Sequence, residues 1–101
     1  MPIRFTKEAD ADIIRLYIEG AERFGAPEAE KYIAGFEAAC AFIERSPLAV
    51  RERSEFEPPM RIHPYRSHVI IFVVEEGGVL VIRVRHARED WASNPSEVAD
   101  R

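Results

Sequence analysis

Cysteine is nearly absent from this sequence: Cys40 is the only one in 101 residues, so no internal disulfide can form. Its thiol reads as a reduced side chain of the core. Long apolar runs are missing too. None exceeds six residues, Val69 to Val74 among them, whereas a membrane helix needs roughly 20. Arg4, Lys7, Glu8 and Asp10 break up any apolar leader at the N-terminus. A cytoplasmic location is expected, with no membrane contact. Positive charge is short as well. Fourteen Lys and Arg face eighteen Asp and Glu, a net charge of −4, so whole-chain attraction to nucleic acid is not expected. No His, Cys, Asp or Glu residues have convincing zinc spacing, so no metal is expected. There is no nucleophile elbow, phosphate loop or dinucleotide fingerprint, and no cofactor is expected.

What remains is a balanced globular composition, 47% hydrophobic and 32% charged. The length fits one domain over residues 1–101, ending in a short tail at 89–101. Charge is unevenly spread. Residues 1–50 carry six basic and nine acidic side chains, net −3. Residues 51–88 carry seven arginines and five glutamates, net +2, and the tail returns to net −3. Any anion-facing surface must therefore come from 51–88. All its basic residues are arginine, which suits planar contacts with carboxylate or phosphate.

The element order is legible from period and punctuation. Pro2 to Thr6 reads as a first strand. Residues 8–24 read as a helix, capped by Thr6 or an acid near 8–10, with Ile13, Ile14, Tyr17, Ile18, Ala21 and Phe24 as its apolar stripe. Gly25-Ala26-Pro27 stops it and starts a second helix running to about Arg45, whose stripe is Ala29, Tyr32, Ile33, Phe36, Ala39, Cys40 and Ile43. Residues 47–58 lack a period and read as a loop. Met60 to His63 begins a strand, Pro64 to Ser67 reads as a turn, and Ser67 to Glu75 is the clearest strand. Gly77-Gly78 supplies the positive φ angles of a tight hairpin, and Val79 to His86 is the last strand. The expected fold is α+β, in the order β-α-α-β-β-β, with an α-hairpin packed on one face of a small, mainly antiparallel sheet.

That sheet has two apolar faces and the hairpin covers one. Leu80, Ile82 and Val84 are assigned to the helices. Val69, Ile71, Val73 and Val81, with Arg83 and Arg85, are assigned to an open groove that awaits a partner, unless the loop or the tail folds over it. Arg61 and Arg88 are expected to form one basic patch beside Trp91, provided their strand ends are close. Trp91 either caps the end of the core or offers a contact to the target.

Several spaced phrases carry a family resemblance across nearly the whole chain. These are Ala9-Asp10-Ala11-Asp12-Ile13 running on through Tyr17 to Phe24-Gly25, Ala29 with Tyr32, and Arg45-Ser46-Pro47. Arg51-Glu52-Arg53, Met60-Arg61, His68 to Phe72, and Ile82 to Arg88 followed by Asp90 complete the set. The sequence resembles ParE-type toxins of the RelE/ParE superfamily, in which a strand ends on a valine-x-histidine-x-arginine phrase. It departs from their pattern at Arg51, where a glycine-arginine pair is common, and at Val73, where a tyrosine near Phe72 is usual.

The resemblance implies the toxin of a type II toxin–antitoxin pair, one that poisons DNA gyrase without being an enzyme. A ParD-like antitoxin would neutralise it, and operator DNA would be reached only through that antitoxin. On that reading the open sheet face offers Val69, Ile71, Val73, Val81, Arg83 and Arg85 as expected antitoxin contacts, and the strand ends offer Arg61, Arg88 and Trp91 as expected target contacts. The sister RelE-like branch cleaves messenger RNA, which needs a base, a cation and an acid. His68, His86, Arg61, Arg83 and Arg88 could supply those types. The acidic charge and the lack of a tyrosine after Arg88 weigh against it, so no catalytic residue is assigned. A non-toxic binding module is a third reading.

Overall fold

The structure is a computed structural model that describes residues 1–93 and residue 95. Strand β1 (Ile3–Phe5) leads into α1 (Lys7–Phe24) through Thr6. The Thr6 hydroxyl accepts the Ala9 N–H at 3.0 Å and donates to Ile82 O at 2.7 Å. One residue thus caps the helix and ties it to the sheet. Gly25, at φ 92°, closes α1 with its N–H on Ala21 O, and Pro27 sits in the first turn of α2 (Ala26–Arg45). A single connecting residue folds the two helices back as an α-hairpin.

The remaining strands are β2 (Glu52–Arg53), β3 (Met60–Tyr65), β4 (His68–Glu75) and β5 (Gly78–His86). Their order is β1-β5-β4-β3-β2. β1 runs parallel to β5, and every other neighbouring pair is antiparallel. The expected fold class is therefore observed, with three local corrections. The loop at 47–58 contains a 3-10 turn at Pro47–Ala49 and the two-residue strand β2, too short to show a period. Pro64 and Tyr65 belong to β3 and not to a turn. Because β2 pairs only with Met60 and Arg61, Pro64 lies on an open stretch of β3 where its missing N–H breaks no ladder bond on that side. At the β4–β5 hairpin only Gly78 has a positive φ, at 139°. It also meets the Pro2 carbonyl, where any Cβ would collide. That carbonyl accepts the Val79 N–H at 2.8 Å, seating β1 against β5.

A β-bulge resets the faces of β5. Phe72 pairs with Val81 but Ile71 pairs with Arg83, so Ile82 is an extra residue. Val79, Val81 and Val84 consequently all face the helices. They join Ile70, Phe72, Phe36, Cys40, Ile43, Leu16 and Ala9 in the main core. This corrects the assignment of Val81 to an open face: Val81 is fully buried under the α-hairpin. It also moves Ile82 to the opposite side, beside Val69, Ile71 and Val73.

Helix α1 is rotated from its expected phase. Its buried residues are Ala9, Asp12 and Leu16, with Ile13 and Tyr17 half-buried. Ile14, Ile18 and Phe24 are exposed. The apolar pattern alone put the stripe too far round because the residue at its centre, Asp12, is charged. In α2 the buried residues Ala29, Phe36, Cys40 and Ile43 follow the expected stripe.

Candidate functional site

The sheet face turned away from the helices is roofed by the chain itself. Met60, Val69 and Ile71 form a second small core there, with Phe56, Ile62, Val73, Ile82 and Trp91 packed around it. The 3-10 turn Trp91–Ser93 brings the indole back to 6.3 Å from the Phe56 ring, centre to centre. Trp91 is thus a cap over apolar side chains. Of the residues expected in an open groove, Val69 and Ile71 are buried beneath this roof, Val81 is on the other face, and only Val73 is half-exposed. Leu80 lies opposite Val73 on β5 and is also half-buried, so an apolar strip of Val73, Leu80 and Ile82 stays within reach of solvent.

Arg83 and Arg85 do not line that strip as free cations. Both are buried. β1 ends opposite Val81, which leaves the outer edge of β5 unpaired beyond it. Asp12 reaches that edge from α1 and accepts the Val84 N–H at 2.9 Å, as a neighbouring strand would. The same carboxylate takes Arg83 Nε at 2.7 Å and a second guanidinium nitrogen at 2.8 Å. Hydrogen bonding to Asp12 raises the Arg83 pKa above its ordinary value in spite of burial. Arg85 donates to Glu89 at 2.9 Å and to Pro95 O at 3.5 Å, holding the segment after β5 against the sheet. The expected frayed tail at 89–101 lies, beyond Ser93 and apart from Pro95, outside the described residues.

The expected patch of Arg61, Arg88 and Trp91 is not assembled. β3 and β5 both run antiparallel to β4, so the start of β3 and the end of β5 lie at opposite ends of the sheet. Arg61 pairs with Phe72, whereas Arg88 follows His86, which pairs with His68. Four residues of β4 separate the two levels, roughly 13 Å at 3.3 Å per residue. Arg61 also shares Phe72's face, away from Trp91, and donates to Val50 O. Arg88 is exposed and forms no ion pair with Asp90, whose carboxylate accepts the Ser93 hydroxyl.

Around Arg88 stands a cluster drawn from residues far apart in sequence. His68 and His86 are directly opposed across β4 and β5, with ring centres 5.0 Å apart. Tyr32 from α2 places its hydroxyl 2.9 Å from His68 Nδ1, and that oxygen accepts the Ser67 N–H at 3.1 Å. Tyr65 donates to Tyr32 O at 2.9 Å and packs edge-on to its ring. Gly35 makes room for this hydroxyl, which occupies the place a Cβ would take. Burial first, then the nearby His86, pushes the His68 pKa below the usual imidazole range. Desolvation raises that of Tyr32. His68 and His63 are half-buried, although both stand close to the turn at Arg66 and Ser67. His68 lies seven residues before Glu75 and His86 eight after Gly78, an offset that only the bulge closes, so no register legible in the sequence pairs them.

On the helix side an apolar groove of about 340 Å³ opens between α1, α2 and β1. Cys40 lies in its floor and Glu37 and Glu44 stand among its lining residues. Burial, helped by Glu37, pushes the Cys40 thiol up to about 11, so it stays protonated and unreactive. Among the described residues no group of three or more His, Cys, Asp or Glu could hold a metal, and no helix is long and apolar enough to cross a membrane.

Comparison with known proteins adds what this geometry cannot. A family model described as the ParE toxin of a type II toxin–antitoxin system, parDE, matches residues 3–91. The chain belongs to the ParE toxin family. It is a ParE-type toxin of a type II toxin–antitoxin system, and the resemblance drawn from its phrases is borne out. No curated protein matches the sequence. Among solved structures, a chain of the chromosomal ParDE TA system from P. aeruginosa superposes with a TM-score of 0.75. The match covers 85% of this chain and 95% of that one at 17% identity, a likeness of fold. It includes the two helices on a five-stranded mixed sheet described above.

Proposed function

We propose that this ParE-type toxin binds and inhibits DNA gyrase in the bacterial cytoplasm, and that a ParD-like antitoxin neutralises it by docking on the second sheet face. The match of the ParE family model over residues 3–91 carries this reading. The toxin acts by binding and not by catalysis. In support, Arg83 is held by Asp12 and Arg61 by Val50 O, so two arginines that RNA cleavage could draw on are committed to the fold. Operator DNA is reached only through the antitoxin.

The antitoxin contact is redrawn from the original set. Val73 and its neighbours Leu80 and Ile82 provide an apolar strip beside Trp91, while Val69 and Ile71 support it from below. An antitoxin helix or strand laid along the strip would bury apolar side chains at Val73. A charge placed there would be desolvated without a partner. Val73→Asp is therefore expected to weaken antitoxin binding by about 2 kcal/mol or more in a calorimetric titration, the scale of an interface hot spot. Val81→Asp is expected to unfold the toxin instead, because it would put a carboxylate into the main core. A folded Val73→Asp protein with undiminished affinity would place the antitoxin elsewhere.

A further inference from the structure

The end of the sheet where β3 turns into β4 and β5 departs is built from donors. Arg66 sits in the turn, at φ 51°, and Arg88 follows the last strand. The Ala87 N–H donates to Ser67 O at 2.8 Å, so the two exposed arginines stand next to the two ends of one hydrogen bond. Neither forms an ion pair among the described residues. Beside them lie His68 and His86. His86 Nδ1 accepts the Arg88 N–H at 3.1 Å. The Tyr32 hydroxyl accepts the Ser67 N–H at 3.1 Å and lies 2.9 Å from His68 Nδ1 and 3.4 Å from Tyr65 O. An imidazole whose Nδ1 accepts carries its proton on Nε2. The Nε2 atoms of the two rings have no hydrogen-bond partner among the described residues. No buried side-chain polar atom lacks a partner, so these two reach solvent. The neighbouring Glu89 takes Arg85 Nε at 2.9 Å and the His86 N–H at 3.1 Å on one carboxylate oxygen.

We propose that this end of the toxin, Arg66, His68, His86 and Arg88, binds the phosphate backbone of single-stranded nucleic acid. Two guanidiniums and two imidazoles whose Nε2 atoms reach solvent form an oxyanion site. Two features favour nucleic acid over an acidic peptide. The donors spread across two chain segments, matching a strand whose phosphates repeat every few ångströms. The Arg66 guanidinium also lies over the Tyr65 ring, 5.9 Å from its centre, and a planar guanidinium is a group on which bases stack. The site goes beyond the gyrase reading and does not depend on it.

The test is fluorescence anisotropy of a labelled single-stranded oligonucleotide titrated with the full-length, antitoxin-free toxin. With two phosphates neutralised, affinity should fall roughly sevenfold between about 50 and 200 mM salt. The Arg66→Gln/Arg88→Gln double variant, checked for an unchanged melting temperature, should bind at least about tenfold more weakly. Polyglutamate should fail to displace the oligonucleotide. Three results would overturn the proposal: no binding at the lower salt, wild-type affinity in the double variant, or displacement by polyglutamate at equal charge concentration. Because the assay contains no gyrase, these results leave the target assignment separately testable.

Discussion

Asp12 closes the unpaired end of β5 with one side chain that serves an edge N–H and a buried guanidinium at once. Both side chains of the Asp12–Arg83 pair are only 3% exposed, so removing the carboxylate takes a two-pronged partner from a buried guanidinium. Asp12→Ala is expected to cost about 3–5 kcal/mol, the scale for breaking a buried pair, read as a fall in the urea midpoint with little change in slope. A loss below about 1 kcal/mol would reduce the pair to the value of a surface contact. His68 makes a second residue-scale prediction. Its folded pKa lies below the unfolded value of 6.5, chiefly through burial. The unfolded chain therefore takes up the proton first. The stabilisation is complete above 6.5, is lost as pH falls towards the folded pKa, and levels off below it. Urea midpoints measured across that window should decline in the wild type and decline less in His68→Gln. Equal slopes in both proteins would assign the acid sensitivity to another group.

At the scale of elements, the phase of α1 and the bulge in β5 decide which surfaces are core. Leu16 packs in the main cluster, whereas Ile18 is 49% exposed. Leu16→Ala is expected to destabilise by about 2–5 kcal/mol, and Ile18→Ala by no more than about 0.5 kcal/mol beyond its small propensity change. Thermal melts giving comparable losses for both would restore the phase expected from the sequence. Helix ends were legible because their signals are chemical. Thr6 offers a capping hydroxyl, Gly25 the left-handed turn, and Ser46-Pro47 a stop. The bulge left no such mark. Val81 and Ile82 are both apolar and β-branched, so either could face the helices, and the choice is made by pairing with β4. Asp12 misled the helix assignment for the opposite reason: a charge on a buried stripe makes sense only once Arg83 is seen beside it.

At the scale of the whole molecule, order and spacing of phrases identified the family and fold, while the functional surfaces depended on contacts far apart in sequence. Tyr32 reaches His68 across 36 residues and Asp12 reaches Arg83 across 71. No local period encodes either. The split of charge was informative in outline, since the exposed arginines Arg66 and Arg88 do come from the arginine-rich stretch 51–88. Arg83 and Arg85 in that stretch are instead spent on ion pairs inside the fold. The proposed action of this chain is to stop gyrase by binding it. The most direct measurement adds purified toxin to a gyrase supercoiling and cleavage assay, with and without its antitoxin, alongside a ribosome-coupled mRNA cleavage assay. The expected result is loss of supercoiling with accumulation of gyrase-cleaved DNA, reversal by the antitoxin, and intact message. Undisturbed gyrase together with ribosome-dependent cuts in the message, abolished by His86→Ala, would contradict it.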